Sequence, residues 1–433
     1  MTSTLTSTLT PKSDRLNAPV IHRLSNGMTI IAEQLPIDAI NFNLWLNVGS
    51  VLESNEINGM AHFLEHMIFK GTDRLKSGEF EQRIESRGAV TNAATSQDYT
   101  HYYITTAPQD FADLAPLQLD VLLNPSIPTD GFDRERHVVL EEIRRSDDNP
   151  RRRNYQRLVE LGFDKLPYNR PVLGPSSVIE TLKPEQMQAF HQQWYHPSAV
   201  TAVAVGNLPV DQLIATVEKS LDSVGWSAKT EHNRPHDFAV DTPYTDIIRQ
   251  DYEDASLQQA RLMLMWRVPG LMNLEETYAL DIISNLLSQG RTARLVQDLR
   301  EKRGLVSGIS ASNMSYQYQG LFTLSATLPT ENLEIVESAL LGHIKQLLQE
   351  LANPKDLEKI CTQVANQFIF SNETPSDRAN LYGYYHSILG DLEPAFSYTD
   401  RIRQITPEAI QTAARKYLPT DALGILTVRP KAK

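Results

Sequence analysis

The sequence predicts an α+β fold of two homologous domains, each a large mixed or antiparallel sheet packed with helices. Three observations support this prediction: the chain has 433 residues, its two halves share an ordered series of motifs, and a polar segment separates them. Chains of this length usually divide into two or more domains. Strand-like and helix-like segments do not alternate regularly along the chain, which favours α+β over α/β.

The internal repeat is clearest where a helix ends and a strand follows. The segments IESRGAVTNAATS and LREKRGLVSGISAS place Gly88 and Gly304 at matching positions, 304 − 88 = 216 residues apart. A glycine suits a helix C-terminus at which the backbone turns left-handed before the next strand. Because further matches occur in the same order in both halves, the repeat predicts two homologous domains.

The domain boundaries are predicted from this repeat and from local composition. Residues 19–228 form the N-terminal domain, residues 229–246 a linker, and residues 247–433 the C-terminal homologous domain. The linker region is polar, contains prolines and shows no sustained apolar period. Residues 1–18 lack the apolar region of a secretory signal, so we interpret them as a disordered tail rather than an organelle-targeting segment.

Charge and composition exclude several classes of protein. The net charge is −12, with 53 acidic against 41 basic residues, which argues against a nucleic-acid-binding protein. No window is long and apolar enough for a membrane span, so we expect the cytoplasm or another soluble compartment. Cys361 is the only cysteine. Any metal must therefore be held by His, Asp or Glu side chains.

The segment GMAHFLEHMIFK predicts a buried helix that carries metal-binding chemistry. His62 and His66 are four residues apart, so both imidazoles leave the same face and can reach one metal ion at roughly 2 Å. Glu65 can take a proton from a water molecule that the metal activates. This H-x-x-E-H order is an inverted form of the H-E-x-x-H zinc-peptidase motif. Such a cluster also arises by chance in unrelated helices, so the interpretation depends on a third ligand.

A second predicted helix, RERHVVLEEIRRSDDNP, offers that ligand. Glu142 and Glu135 are seven residues apart and project from one face of the helix. Glu142 can bind the metal, and Glu135 can accept a hydrogen bond from the outer N–H of a ligating histidine. Glu141 is the alternative ligand, although it points about 100° away. Taken alone, this helix would be interpreted as an ordinary charged surface.

Several blocks of the sequence resemble one peptidase family. The motif HFLEH, followed by Glu142 after 75 intervening residues, is similar to the inverted zinc motif of the pitrilysin/insulinase peptidases. The segments GAVTNAATSQDYTHYYI, PVLGPSSVIETL and WYHPSAVTAVAVGNL resemble further family blocks in the same order. The length is similar to that of the short subfamily, which includes mitochondrial processing peptidase and its bacterial homologues.

The resemblance implies a role for each residue of the predicted site. His62, His66 and Glu142 would bind one Zn²⁺ ion per chain, Glu65 would be the general base, and Glu135 would support a ligating histidine. The zinc-binding peptidase domain would then be residues 19–228. Two His and one carboxylate also tolerate cobalt or manganese, so zinc itself is an inference from the ligand set.

The resemblance also implies a substrate site and a partner. An extended peptide substrate would add to the sheet edge formed by Asn92, Ala93, Ala94 and Thr95, where backbone pairing binds peptides with little regard to sequence. Members of the short subfamily are dimers that enclose a chamber. The chain is therefore expected to act on peptides as part of a homodimer or heterodimer.

One position departs from the family pattern in the second domain. Self-sufficient members carry Arg and Tyr seven residues apart to hold the substrate carbonyl, whereas this chain has Arg300 and then Ser307. Loss of one such donor can cost on the order of 10²–10³ in turnover. A partner subunit would then supply the missing tyrosine, and compensation by Tyr316 or Tyr318 is the alternative.

The sequence thus predicts a zinc-dependent endopeptidase that hydrolyses short or unfolded peptides or presequences as the catalytic subunit of a dimer. The alternatives are a non-catalytic structural or assembly subunit with the peptidase fold, and a peptide carrier without turnover. The presence of all four residues His62, Glu65, His66 and Glu142 favours the hypothesis of an active enzyme.

Overall fold

The computed structural model describes residues 19–225 and 238–431, which form two compact units, each discontinuous in sequence. The first unit comprises the described residues within Met1–Arg145, Arg170–His236 and Ser371–Phe396, and the second those within Ser146–Asn169, Asp237–Phe370 and Ser397–Lys433. Each unit contains one β-sheet and its own hydrophobic core. The predicted α+β fold with two domains is confirmed.

The described helices follow from amphipathic segments that the sequence carries in both halves. In chain order they are α1 (Met60–Ile68), α2 (Glu79–Glu85), α3 (Phe111–Leu123), α4 (Thr129–Asp148), α5 (Pro150–Gly162), α6 (Ser176–Ile179), α7 (Pro184–Trp194), α8 (Val210–Val224), α9 (Tyr278–Ser288), α10 (Leu333–Gln349), α11 (Pro354–Phe370), α12 (Pro375–Leu389), α13 (Glu393–Arg403) and α14 (Pro407–Tyr417). A π-helix, Val296–Lys302, lies between α9 and α10.

The first unit contains a six-stranded mixed sheet. Its strands are β1 (Val20–Arg23), β2 (Thr29–Gln34), β3 (Ile40–Leu46), β4 (Val90–Thr95), β5 (Thr100–Thr106) and β6 (Val200–Gly206). The spatial order is β1-β2-β6-β3-β5-β4, in which β2 and β6 are parallel and all other neighbours are antiparallel. Strand β4 therefore lies at one edge of the sheet, with only β5 beside it.

The second unit repeats this arrangement with five strands. They are β7 (Ile247–Asp254), β8 (Ala260–Pro269), β9 (Gly308–Ser315), β10 (Gln319–Leu328) and β11 (Leu423–Pro430). The order β7-β11-β8-β10-β9, with one parallel pair at β7 and β11, matches β2-β6-β3-β5-β4 strand for strand. Gly88 and Gly304 both have positive φ, at 66° and 59°. The left-handed turn predicted at these two glycines is confirmed.

The two units differ from the predicted domains in two segments. Each of these segments packs with the unit that is formed mainly by the other half of the chain. Helix α12, within the predicted domain 247–433, packs on β3 and β6 of the first sheet. Arg378 Nη1 and the Tyr382 hydroxyl both donate to the buried Glu33 carboxylate, at 2.9 and 2.7 Å. A Cβ atom at Gly383 would lie 2.1 Å from Trp45 Nε1, so this close approach requires glycine.

The other exchanged segment is Ser146–Asn169, which lies within the predicted domain 19–228 but belongs to the second unit. Both exchanges depend on contacts between residues far apart in sequence, which local composition does not encode. The predicted tail, residues 1–18, and residues 229–237 of the predicted linker lie outside the described residues.

The second unit contains a carboxyl group in an unfavourable environment for a charge. Asp281 on α9 accepts hydrogen bonds from Asn313 Nδ2 at 2.8 Å and from the Tyr398 hydroxyl at 3.4 Å. Burial outweighs these hydrogen bonds and raises the pKa of Asp281 to about 6. A carboxyl group whose pKa is higher in the folded state binds its proton more tightly when folded. Its contribution to stability is therefore lost as the pH rises from about 4 through 6.

We expect Asp281→Asn to stabilise the protein at pH 7.5 and to have little effect near pH 4.5. At ~1.4 kcal/mol per pKa unit the ionised carboxylate costs at most about 3 kcal/mol. The asparagine oxygen can still accept from Asn313. Urea unfolding of both proteins across this pH range measures the difference, and a variant that is equally destabilised at both pH values would contradict the prediction.

Candidate metal centre

Helix α1 presents three polar side chains on one face because its other face is buried. His62, Glu65 and His66 are only partly buried, and they follow the three-to-four-residue period of a helix. The buried residues of the helix are Met60, Ala61, Phe63, Leu64, Met67 and Ile68. The apolar packing of this helix therefore fixes the direction in which the two imidazoles and the carboxylate point.

A buried glutamate outside the predicted site fixes the start of α1. The Glu53 carboxylate accepts hydrogen bonds from the backbone N–H groups of Gly59 and Ala61, at 2.8 and 2.7 Å, and from Asn58 Nδ2 at 2.8 Å. A negative charge is favourable at a helix N-terminus, where backbone N–H groups lack partners within the helix. The sequence analysis missed Glu53, because it precedes the helix by several residues in an irregular segment.

The candidate ligand atoms come together at spacings that suit a tetrahedral ion. One ligand atom from each of His62, His66 and Glu142 lies within 4.8 Å of the other two. Glu142 Oε2 is 3.5 Å from the Nε2 atom of each histidine. Ligand atoms placed about 2.1 Å from a tetrahedral zinc ion lie roughly 3.4 Å apart. The residues therefore fit the metal that the sequence predicts.

The structure distinguishes Glu142 from its neighbour Glu141. Glu141 accepts hydrogen bonds from Arg144 at 2.8 Å and from Arg145 at 3.0 Å on the exposed side of α4. These two guanidinium groups lower the pKa of Glu141 to about 2. Because adjacent residues on a helix point about 100° apart, only Glu142 faces the two histidines.

Glu135 holds His66 in the orientation that a ligand needs. The Nδ1 atom of His66 lies 2.9 Å from Glu135 Oε1, so Nδ1–H donates to the carboxylate and Nε2 is left to bind a metal. Lys70 Nζ lies 2.7 Å from the other oxygen, Oε2. Burial alone would raise the pKa of Glu135, but the hydrogen bonds from His66 and Lys70 lower it. The sequence analysis did not identify Lys70.

His62 is held in its neutral form by its surroundings. Burial, reinforced by the proximity of His66, lowers the pKa of His62 to about 3. Its Nδ1 atom is buried and has no hydrogen-bond partner among the described residues. A neutral imidazole has a lone pair available for a metal, so His62 is suited to act as a ligand at neutral pH.

Glu65 is positioned beside the three candidate ligands without being one of them. Its Oε2 atom accepts a hydrogen bond from the Thr95 hydroxyl at 2.5 Å. Burial raises the pKa of Glu65 above its usual range, although the Thr95 hydroxyl opposes the shift. A raised pKa makes the carboxylate a stronger base for the proton of an attacking water.

The predicted substrate residues Asn92, Ala93, Ala94 and Thr95 lie on the edge strand β4. Side chains alternate along it: Asn92 and Ala94 are exposed, whereas Ala93 and Thr95 are half-buried. Because β4 is hydrogen-bonded only to β5, the backbone along its other edge has no strand partner among the described residues. The strand is therefore available for pairing with an extended chain.

Comparison with known proteins connects this geometry to a family. Residues 29–176 match the model of the insulinase peptidases, family M16, and residues 181–364 match the model described as the peptidase M16 inactive domain. The chain belongs to peptidase family M16. All three candidate metal ligands lie within the first match, so the inactive-domain match carries none of them.

Curated M16 relatives match over nearly their whole length. A protein of Rickettsia felis called an uncharacterized zinc protease is 25% identical over 397 residues, which cover 92% of this chain and 94% of that protein. A Bacillus subtilis protein of the same description is 25% identical over 405 residues, covering 93% and 96%. These names support a metalloprotease family with zinc as the metal.

Solved structures share the whole fold. The chain is similar to a protease from Helicobacter pylori, with a TM-score of 0.89 and 25% identity, over 96% of this chain and 100% of that one. It is also similar to an M16-like peptidase of Alicyclobacillus acidocaldarius, with a TM-score of 0.85 and 20% identity, over 97% and 100% of the two chains.

No helix in the described ranges has both the length and the apolar character needed to cross a membrane.

The residues of the second domain that were compared with the family's carbonyl-binding Arg–Tyr pair lie in the second unit. Arg300 is part of the π-helix and is paired with Glu301 at 2.7 Å. The exposed Ser307 hydroxyl donates to Gln259 Oε1 at 2.7 Å. The Tyr316 hydroxyl lies 2.5 Å from that of Tyr155, within the same unit. The structure therefore assembles His62, Glu65, His66, Glu135 and Glu142 in the first unit, and Arg300 belongs to the second unit.

Proposed function

We propose that the chain is a zinc-dependent endopeptidase that hydrolyses short or unfolded peptides. The convergence of His62, His66 and Glu142, with Glu65 beside them, carries this proposal. The ligand set of two imidazoles and one carboxylate leaves a fourth position open, as in catalytic rather than structural zinc sites. The zinc proteases among its relatives support the same metal and the same reaction class.

Each residue of the site has a distinct part in peptide hydrolysis. When bound, zinc supplies Lewis-acid chemistry that makes a water molecule and a peptide carbonyl more reactive. Glu65 accepts the proton of the attacking water and then delivers it to the leaving amine. Glu135 keeps the Nδ1 proton on His66, which preserves the tautomer that can bind zinc.

The edge of β4 provides the proposed peptide site. A substrate in an extended conformation pairs its backbone with Asn92–Thr95, and this pairing requires a peptide without fixed structure of its own. A folded protein cannot present such a strand unless part of it unfolds. Short and unfolded chains, including presequences, are therefore the proposed substrates.

The decisive experiment is cleavage of an unstructured fluorogenic peptide by the purified chain, with zinc measured on the same sample. Cleavage that stops with a chelator and returns with zinc supports the proposal. One zinc per chain without cleavage of any peptide, even with a partner subunit present, supports the alternative of a non-catalytic subunit. A solved relative from Pseudomonas fluorescens is described as a peptidase M16 inactive domain. This description is the reason for testing the non-catalytic alternative.

The proposal includes a dimer, either of identical chains or with a homologous partner. In a heterodimer, the partner supplies the tyrosine that Ser307 replaces. Ser307 is exposed, so a larger side chain can be accommodated there. We expect Ser307→Tyr to raise the turnover of the isolated chain, and we expect the wild type to gain turnover when mixed with a homologous chain that carries the tyrosine. No gain in either experiment would contradict the partner proposal.

We expect Glu135→Ala to lower zinc affinity by about 10- to 100-fold, as is usual when the hydrogen-bond partner of a ligating histidine is removed. Without Glu135, the His66 ring can rotate and change tautomer. Competition with a chromophoric chelator measures the affinity. Asp133→Ala, an exposed carboxylate on the same helix, is the control and should bind zinc like the wild type. Equal affinity in both variants would contradict the role of Glu135.

A further inference from the structure

Thr95 differs from the other residues of the β4 edge in what its side chain contacts. Its hydroxyl donates to Glu65 Oε2, across 30 residues of sequence. Thr91, on the same face of β4, donates its hydroxyl instead to the Tyr103 carbonyl at 3.1 Å.

The hydrogen bonds of the neighbouring strand β5 are compatible with donation from the Thr95 hydroxyl to Glu65. Thr100 is the residue directly opposite Thr95 in the antiparallel pair. Its hydroxyl donates to the Val48 carbonyl at 2.7 Å and lies 3.5 Å from the Thr95 hydroxyl oxygen. An ionised carboxylate can only accept a hydrogen bond, and Glu65 Oε2 at 2.5 Å is much closer to the Thr95 hydroxyl than the Thr100 oxygen at 3.5 Å, so the Thr95 proton lies in the hydrogen bond to Glu65.

The contact constrains which oxygen of Glu65 can react. Hydrogen bonding of Oε2 to Thr95 restricts rotation of the carboxylate, so Oε1 is the oxygen that this contact does not occupy. A glutamate side chain has three rotatable bonds, and without this contact several rotamers compete. A base must lie within hydrogen-bond reach of the proton that it accepts, so the loss of orientation lowers the rate.

We propose that Thr95 is a positioning residue that orients the general base Glu65, so that the strand which pairs with the peptide also holds the base. This inference rests on the proposed function. Within the β4 edge, the backbone of Asn92–Thr95 pairs with substrate, and the side chain of Thr95 acts on Glu65. Docking of a peptide along β4 and alignment of the base are then properties of one rigid strand.

The test compares Thr95→Val with Thr95→Ser and with the matched control Thr91→Val. Removal of a hydrogen bond to a charged group is expected to lower kcat about tenfold in Thr95→Val and to change KM less than about twofold. Thr95→Ser keeps the hydroxyl and should restore kcat to within about threefold of the wild type. Thr91→Val removes an equivalent hydroxyl from the same face of the strand and should keep the wild-type kcat.

A binding measurement separates orientation of the base from substrate contact. In the zinc-loaded Glu65→Gln background, which does not turn the peptide over appreciably, adding Thr95→Val should leave the Kd of a fluorescent peptide unchanged. Zinc content should equal one per chain in every variant. A raised Kd and KM with unchanged kcat would overturn the inference, because the Thr95 side chain would then contact substrate instead of orienting the base. Failure of Thr95→Ser to restore kcat would overturn it as well.

Failure of the proposed function gives a different result. If the wild type and its partner-supplemented form cleave no peptide, the endopeptidase proposal fails before Thr95 is tested. If the wild type cleaves and Thr95→Val, with a full complement of zinc, cleaves equally fast, only the inference about Thr95 fails.

Discussion

Replacing Glu65 with Gln is expected to lower peptide turnover by about 10³-fold while leaving one zinc bound per chain. General acid–base catalysis contributes roughly 10²- to 10⁴-fold, and the glutamine amide cannot accept the proton of the attacking water. Glu65 is not one of the three candidate metal ligands, so the site should keep its metal. The substitution preserves shape, and the amide oxygen can still accept the hydrogen bond from Thr95.

Parallel measurements of kcat and of metal content by atomic absorption test this expectation. Glu85→Gln, an exposed glutamate at the end of α2, is the matched control and should retain wild-type turnover. Loss of both zinc and activity in Glu65→Gln would instead make Glu65 a ligand. Unchanged activity with full zinc would mean that another group accepts the proton.

The parts of the site that could be predicted from sequence are those fixed by helix geometry. His62, Glu65 and His66 lie within five residues of one helix, and Glu135 and Glu142 are two turns apart on another, so their shared faces follow from the helical period alone. The preference for Glu142 over Glu141 came from its spacing to Glu135 and from the angle between neighbouring side chains. The resemblance to a known family added the pairing of the two helices.

The parts that could not be predicted depend on contacts between distant segments. Glu53 caps α1 from an irregular segment, Lys70 reaches Glu135 across 65 residues, and Thr95 reaches Glu65 from a strand. Thr95 was predicted only as part of the substrate edge. No local pattern specifies such contacts, because they depend on how the elements pack. The same reason explains why the sequence did not indicate that α12 packs with the first unit.

The two units carry related contacts at corresponding places in their sheets. Strand β9 occupies the place in the second sheet that β4 occupies in the first. In the first unit Thr95 of β4 donates to Glu65 of α1, and in the second Asn313 of β9 donates to Asp281 of α9. The helix-to-strand contact to a carboxylate thus occurs in both units. Of the described residues, only those of the first unit add a group that could hold a metal.

Replacing Glu142 with Gln is expected to lower zinc affinity by at least about 100-fold, beyond the range produced by removing a residue that only supports a ligand. The variant loses one of three protein ligands and also one negative charge next to a dication. Two neutral imidazoles alone form a weak site, so activity should fall in proportion to the zinc that is lost.

The adjacent variant Glu141→Gln provides a sharp control, because it removes the same charge one residue earlier on the same helix. Glu141 pairs with Arg144 and Arg145 at the exposed surface, where such pairs contribute little. It should therefore bind zinc and cleave peptides like the wild type. Titration of both apoproteins with zinc against a chromophoric chelator measures the contrast. If Glu141→Gln loses the metal and Glu142→Gln keeps it, the face of α4 that points to the histidines has been assigned incorrectly. If both keep it, the third ligand lies elsewhere, and the convergence on which the proposed reaction depends is not the metal site.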